Sequence, residues 1–223
     1  MNNIAVIDYD AGNIRSVLNA LKNLGQSAIL TGDRSEILSA ERVILPGVGS
    51  FGDAMSKLEN YGLIDVIHDV CDSGTPLLGI CLGQQLLFDS SEESPGVKGL
   101  GIIRGTCMRI PDGTNEEGTV RKIPQIGWND LSYPETESNC EGRLFKGVPE
   151  HSFVYFVHSY CVVPKDQSVI KATTQYGMTI AASVEQGNVF ACQFHPEKSS
   201  DTGRKILENF LTIPKSSVKE AGR

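Results

Sequence analysis

Hydrophobic positions follow two different rhythms along this chain, and the change falls near residue 95. Ile4 to Asp8 is a short apolar run and predicts a buried strand. Asn13 stands where a helix cap is needed, and Ile14, Val17, Leu18, Leu21 and Leu24 then recur at helical spacing until Gly25. Ser27 to Leu30 and Val43 to Leu45 predict two more strands, the second ending at Pro46. Phe51, Met55 and Leu58 mark a short helix, and Leu63, Ile64, Ile67 and Val70 mark another running to Gly74. Leu77 to Ile80 predicts a fourth strand, with a helix starting over Gln84 to Asp89. Strands and helices alternating in this way predict a parallel sheet with helices on both faces.

Beyond residue 95, glycine, proline, threonine and asparagine become frequent and helical spacing is lost. Short runs over Gly101 to Arg104, Met108 to Ile110, Trp128 to Leu131, Phe153 to Val157, Val169 to Thr173 and Ile180 to Val184 predict mixed or antiparallel strands. A further apolar run covers Val189 to Cys192. Thr202 to Leu211 predicts a final helix facing inward through Ile206, Leu207 and Phe210. Residues 1–212 are read as one domain and 213–223 as a polar tail, frayed from 214 onward.

The bulk numbers narrow the function without choosing it. At 223 residues, 40% hydrophobic and 21% charged, the chain has the make-up of one globular domain. A formal charge of −7 argues against a nucleic-acid partner, which needs a basic face. No apolar run approaches the roughly 20 residues of a membrane span. Asp8 and Asp10 interrupt the first apolar stretch, so no signal peptide is read there. The six cysteines, at 71, 81, 107, 140, 161 and 192, form no C-x-x-C pair. That speaks against a disulfide framework or zinc site, and a reducing cytoplasm is the expected compartment.

The chemistry concentrates at Gly79-Ile-Cys81-Leu-Gly83, between the fourth strand and its helix. Small residues two positions either side of a nucleophile allow a tight turn that pushes the side chain outward, here with Cys in place of Ser. A helix start behind it favours the thiolate. Far downstream, His195-Pro196-Glu197 follows the run Val189 to Cys192. If these meet, His195 deprotonates Cys81 and Glu197 orients His195, as in a thiol hydrolase.

Gly47-Val48-Gly49-Ser50-Phe51-Gly52 is a literal G-x-G-x-x-G. It follows the third strand rather than the first, and Pro46 precedes it, which weakens a dinucleotide reading. A loop whose N–H groups bind an oxyanion competes with that reading, and so does a plain tight turn. His68 and His151 read as surface residues, while His158 closes the most apolar strand, where sites form but structural histidines are the default. Trp128, the single tryptophan, reads as packing unless a partner covers it.

Taken together, these segments resemble the class I glutamine amidotransferases, whose signatures appear here in that family's order. The match extends to Asp8-Tyr-Asp-Ala-Gly-Asn13, Ser94-Pro-Gly-Val-Lys-Gly-Leu100, Ile126-Gly-Trp-Asn129, Phe156-Val-His-Ser-Tyr160 and Phe194-His-Pro-Glu-Lys-Ser-Ser200. These are similar to the HisH branch, the glutaminase subunits of imidazole glycerol phosphate synthase. The resemblance covers about residues 1–212. It implies a flavodoxin-like α/β fold with a mostly parallel central sheet and a small antiparallel C-terminal sheet.

It also implies hydrolysis of L-glutamine through a Cys81 thioester, with His195 and Glu197 completing the catalytic set and no cofactor. Gly47, Val48, Gly49 and Leu82 match the oxyanion hole. Gly52, Gln85, Glu93, His158, Ser159 and Tyr160 match the glutamine pocket. Asn13, Arg15, Trp128 and Lys198 match a face that docks a HisF-type (β/α)8-barrel cyclase. That partner would use the ammonia to make imidazole glycerol phosphate and AICAR in histidine biosynthesis. Gln84 and Gln125 depart from the methionine and histidine common at those places. A HisH-like paralogue feeding surface-sugar amidination therefore stays open as an alternative. So do a peptidase or DJ-1-like thiol protein on the same fold, and a non-catalytic or nucleotide-binding subunit.

Overall fold

The computed structural model describes residues 3–12, 14–114, 120–134 and 142–216. The Asn13 cap expected for the first helix lies outside them. The first half alternates as the pattern predicts: β1 (Ile4–Ile7), α1 (Ile14–Asn23), β2 (Ala28–Thr31), α2 (Arg34–Ser39), β3 (Arg42–Leu45), α3 (Phe51–Asn60), α4 (Ile64–Asp72), β4 (Leu77–Ile80) and α5 (Leu82–Leu86). There follow β5 (Ser90–Ser91), β6 (Gly105–Arg109), β7 (Gln125–Asp130), β8 (Phe153–His158), β9 (Tyr160–Pro164), β10 (Ile170–Gln175), β11 (Thr179–Gln186), β12 (Val189–Cys192) and α6 (Ser200–Thr212).

The main sheet has the order β10-β11-β12-β4-β3-β1-β2. β2, β1, β3, β4 and β12 run parallel, and β11 and β10 continue the same sheet antiparallel. Every residue of β1, β3, β4 and β12 is buried. Burial on both faces is why these strands read as continuous apolar runs rather than alternations. Two small sheets stand beside this one, β5-β6-β9 and the antiparallel ribbon β7-β8.

One consequence of the order positions the site. β3, β4 and β12 are parallel neighbours, with Leu45 level with Gly79, and Ile80 level with Cys192. The segments that leave their carboxyl ends, the Pro46 loop, the Cys81 elbow and the His195 turn, therefore emerge side by side. Ligand sites of open α/β sheets form at this edge.

The fold departs from the sequence reading in places. The apolar pattern does not predict α2; Asp33 caps it by accepting from the Ser35 and Glu36 N–H groups. Gly101 to Arg104 is not a strand. Its backbone instead hangs on the segment after α5, with Gly101 N–H on Phe88 O and Ile103 N–H on Leu87 O, and Gly101 adopts φ +63°. Sheet pairing begins only at Gly105, opposite Pro164. The segment from Ile213 to Ser216 is also better held than expected. The buried Arg42 guanidinium donates to the Phe210 and Ile213 carbonyls, Ile213 packs in the core, and Ser216 N–H bonds Gly74 O at 2.9 Å. Residues 217–223 lie outside the described residues.

Candidate active site

The elbow explains its own sequence. Cys81 adopts φ +56° and ψ −111°, a conformation costly for a residue with a side chain and sustained only where neighbours enforce it. Its N–H is fixed to Cys192 O at 2.8 Å. A Cβ at Gly79 would lie 2.8 Å from Gly83 O, and one at Gly83 would strike the Leu45 carbonyl. Both glycines are thus required by close backbone approach. Leu82, first residue of α5, lines the cleft beside the thiol.

His195 leaves β12 and is held by its N–H on Tyr155 O at 2.9 Å. Its Nδ1 lies 2.8 Å from Glu197 Oε1, with the two side chains 3% and 2% exposed. This leaves Nε2, which is buried without a hydrogen-bond partner, as is Glu197 Oε2. Cys81 and His195 line one cleft of about 280 Å³ with Val48, Gly49, Leu82, Gln85, Glu93, Pro124, Val157, His158, Ser159 and Tyr160. Burial by itself would depress the imidazolium, but the Cys81 sulfur and the Glu197 carboxylate outweigh it and raise His195 from 6.5 to about 9. Val157 O and Gln193 Nε2 each stand 3.8 Å from the Cys81 sulfur.

The cleft gathers the residues expected from sequence with three exceptions, one of them Glu197, which stands behind His195 and outside the lining. Gly47 lies beneath it: a Cβ there would meet Gly83 N at 2.7 Å and Tyr9 Oη at 3.0 Å. Gly52 stands behind it, donating to Ser94 Oγ at 3.0 Å, while Phe51 N–H bonds Glu93 Oε2 at 2.6 Å. The loop is therefore anchored at both ends and open between them, where Gly49 takes φ +100° with nothing near its missing Cβ.

Gln85 Nε2 is committed to Tyr160 O and to Gln193 Oε1. His158 Nδ1 donates to Tyr160 O at 2.8 Å, and Nε2 meets the Gln125 amide at 3.0 Å. Burial lowers the His158 pKa to about 4, so it stays neutral. Gln84 is wholly buried, donates to Ala181 O and leaves its Oε1 unpaired.

Of the expected docking residues, Arg15 and Lys198 are exposed and Trp128 is 52% exposed, while Asn13 lies outside the described residues. On the ribbon, Trp128 pairs with Tyr155, and exposed Ile126 and Phe153 flank them. Sequence reasoning passed over Tyr9, whose buried hydroxyl donates to Pro46 O at 2.7 Å, and Gln193 beside the thiol. Gln193 carried one signal, a polar residue directly after a fully buried strand. His151 is exposed as expected, bonded to Asp130, while His68 is half-buried.

The family pattern described as Glutamine amidotransferase class-I matches residues 5–213. The imidazole glycerol phosphate synthase subunit HisH of Moorella thermoacetica is 47% identical over 222 residues, covering 100% of this chain and 98% of the relative. That of Geobacillus kaustophilus is 48% identical over 210 residues, covering 94% and 96%. Among solved structures, PurLQS from Thermotoga maritima superposes with a TM-score of 0.67 at 21% identity, over 94% of this chain and 97% of the other. The glutaminase domain of Trypanosoma brucei CTPS gives 0.62 at 18%, over 95% and 94%. These likenesses show the fold. No described helix is long and apolar enough to cross a membrane. The chain belongs to the class I glutamine amidotransferases and, within them, to the HisH glutaminase subunits of imidazole glycerol phosphate synthase.

Proposed function

We propose that Cys81, His195 and Glu197 carry the glutaminase reaction of this subunit, and that the cleft over Cys81 holds L-glutamine. One observation carries this reading: the strained Cys81 shares a small cleft with an imidazole whose far nitrogen is bound to a buried carboxylate. A cleft of about 280 Å³ suits an amino acid. It is too small for a dinucleotide, which disfavours the cofactor reading of the glycine loop.

The steps follow from the groups in place. The Cys81 thiolate attacks the side-chain amide carbon of glutamine, and the carbonyl oxygen gains the charge. The Leu82 N–H and an N–H of the Val48–Gly49 segment stabilise that oxyanion. His195, as imidazolium, protonates the leaving nitrogen, and ammonia departs from a γ-glutamyl thioester. Neutral His195 then takes a proton from water, which attacks the thioester and releases glutamate and the Cys81 thiolate. Glu93, which also lines the cleft, provides the carboxylate for the substrate α-ammonium.

The ammonia passes to a partner, a HisF-type (β/α)8-barrel cyclase docked on the face with Trp128, Arg15, Lys198 and Asn13. Exposed Ile126, Trp128 and Phe153 give that face an apolar centre. The relatives above are named as subunits of imidazole glycerol phosphate synthase, so the surface-sugar alternative is not favoured. The test is glutamate release by the purified chain with and without its cyclase. Absence of release in both would refute the reading.

A further inference from the structure

β8 meets the active site at successive levels. Its Val157 carbonyl faces the Cys81 sulfur at 3.8 Å, and His158 lines the cleft. Tyr155 grips the His195 turn twice. The Tyr155 carbonyl accepts the His195 N–H at 2.9 Å. The Tyr155 N–H instead donates to Ser199 Oγ at 2.9 Å, and that hydroxyl donates to the His195 carbonyl at 2.6 Å. A closed ring of hydrogen bonds results, with the Ser199 hydroxyl as the one side-chain group in it.

Ser199 is wholly buried. Gly203 lies directly under it: a Cβ there would strike the Pro196 carbonyl and lie 2.8 Å from Ser199 Cβ. The packing thus presses Ser199 against the turn. A hydroxyl is suited to this place because it accepts from an N–H and donates to a carbonyl at once. Alanine would leave the Tyr155 N–H buried and unpaired and the His195 carbonyl with the Lys198 N–H alone.

We infer that Ser199 is a positioning residue for the catalytic base, joining the His195 main chain to the strand against which Cys81 sits. This rests on the reading of His195 as the base. With the ring intact, imidazole and thiol take their places from the same strand. With it open, the turn relaxes and the two drift apart. A misplacement of about 1 Å can cost on the order of 10² in rate. The titratable groups facing His195 are Cys81 from the elbow, Glu197 from its own turn and His158 from β8. Cys192 of β12 faces Cys81 and Glu197. The effect of Ser199 is exerted on the Cys81–His195 pair, since Glu197 and His195 move together on one turn.

The experiment compares wild type, Ser199→Ala, Ser199→Cys, His195→Ala and Cys81→Ala, each in complex with the cyclase. Glutamate release gives kcat and KM, and thermal melting reports the fold. The pH dependence of Cys81 alkylation by iodoacetamide, mapped by peptide, reports the thiolate. For Ser199→Ala the expected result is a kcat lowered by about 10- to 100-fold, with KM for glutamine little changed. Alkylation should shift to higher pH, because a displaced imidazolium stabilises thiolate less. Ser199→Cys, which keeps a weak donor in a similar volume, should fall between, and it carries the test if the alanine variant does not fold. A lowered melting temperature with unchanged kcat and unchanged alkylation profile would overturn the inference. If instead His195→Ala or Cys81→Ala stays active, it is the reading of the catalytic set that fails.

Discussion

His195 Nδ1 lies 2.8 Å from Glu197 Oε1, and both side chains are almost wholly buried. The pairing fixes the ring so that Nε2 is the nitrogen left for the thiol. It also holds the positive charge that forms when the thiol loses its proton. Pro196, between them, limits how far the two can separate. Glu197→Gln should accordingly cost less than His195→Ala, by about one to two orders of magnitude, because the acid orients while the base transfers protons. Equal losses in kcat for glutamate release would mean that Glu197 acts directly on the substrate.

The charge on His195 also sets a pH limit. Its pKa is raised to about 9, so the imidazolium needed to protonate the leaving amine persists to that pH. Glutaminase kcat/KM is expected to decline as pH rises through about 9. A limb near 6.5, the ordinary histidine value, would show that the Cys81 and Glu197 interactions do not operate.

His158 gives a stability prediction of the opposite sense. Its folded-state pKa is lowered to about 4, so the unfolded chain binds the proton more readily. The stability it confers is complete above about 6.5 and is lost as pH falls toward about 4. The loss is on the order of 3 kcal/mol. Urea unfolding at neutral and acidic pH should show this loss in wild type and a smaller one in His158→Gln. An identical loss in both would place the acid sensitivity elsewhere.

Docking should depend on an exposed ring. Trp128 is 52% exposed and meets Tyr155 edge-on at 6.0 Å. Trp128→Ala should leave the melting temperature nearly unchanged and weaken cyclase binding by about 2 kcal/mol or more, as for a central aromatic anchor. Calorimetric titration with the cyclase measures it, and unchanged affinity would move the interface off the ribbon.

Much of the site could be read from the chain because its geometry is local. Gly79, Cys81 and Gly83 spell out the elbow within five residues, and His195 and Glu197 are two apart. The parallel strands were legible because burial on both faces leaves unbroken apolar runs. α2 has six residues and a single fully buried side chain, Ile37, too few for a periodic signal. Gly101 to Arg104 resembles a strand in composition, but its apolar Ile103 is buried by a loop that bonds back to Leu87. Tyr9 and Ser199 act through partners 37 and 44 residues away, which no local pattern records.

The most direct measurement is steady-state glutamate release by wild type and Cys81→Ala, alone, with the cyclase, and with the cyclase and its nucleotide ligand. Gly47 is packed under the site, whereas Gly49 is free to turn. The Val48–Gly49 segment can therefore withhold or offer an oxyanion donor at low steric cost. One such donor is worth roughly 10²–10³ in rate. The expected result is slow hydrolysis by the isolated wild-type chain, stimulation of at least that order by the liganded partner, and no release by Cys81→Ala under any condition. The alanine variant should still support the cyclase on free ammonium. Substantial glutamate release by folded Cys81→Ala would contradict the thioester mechanism at its first step.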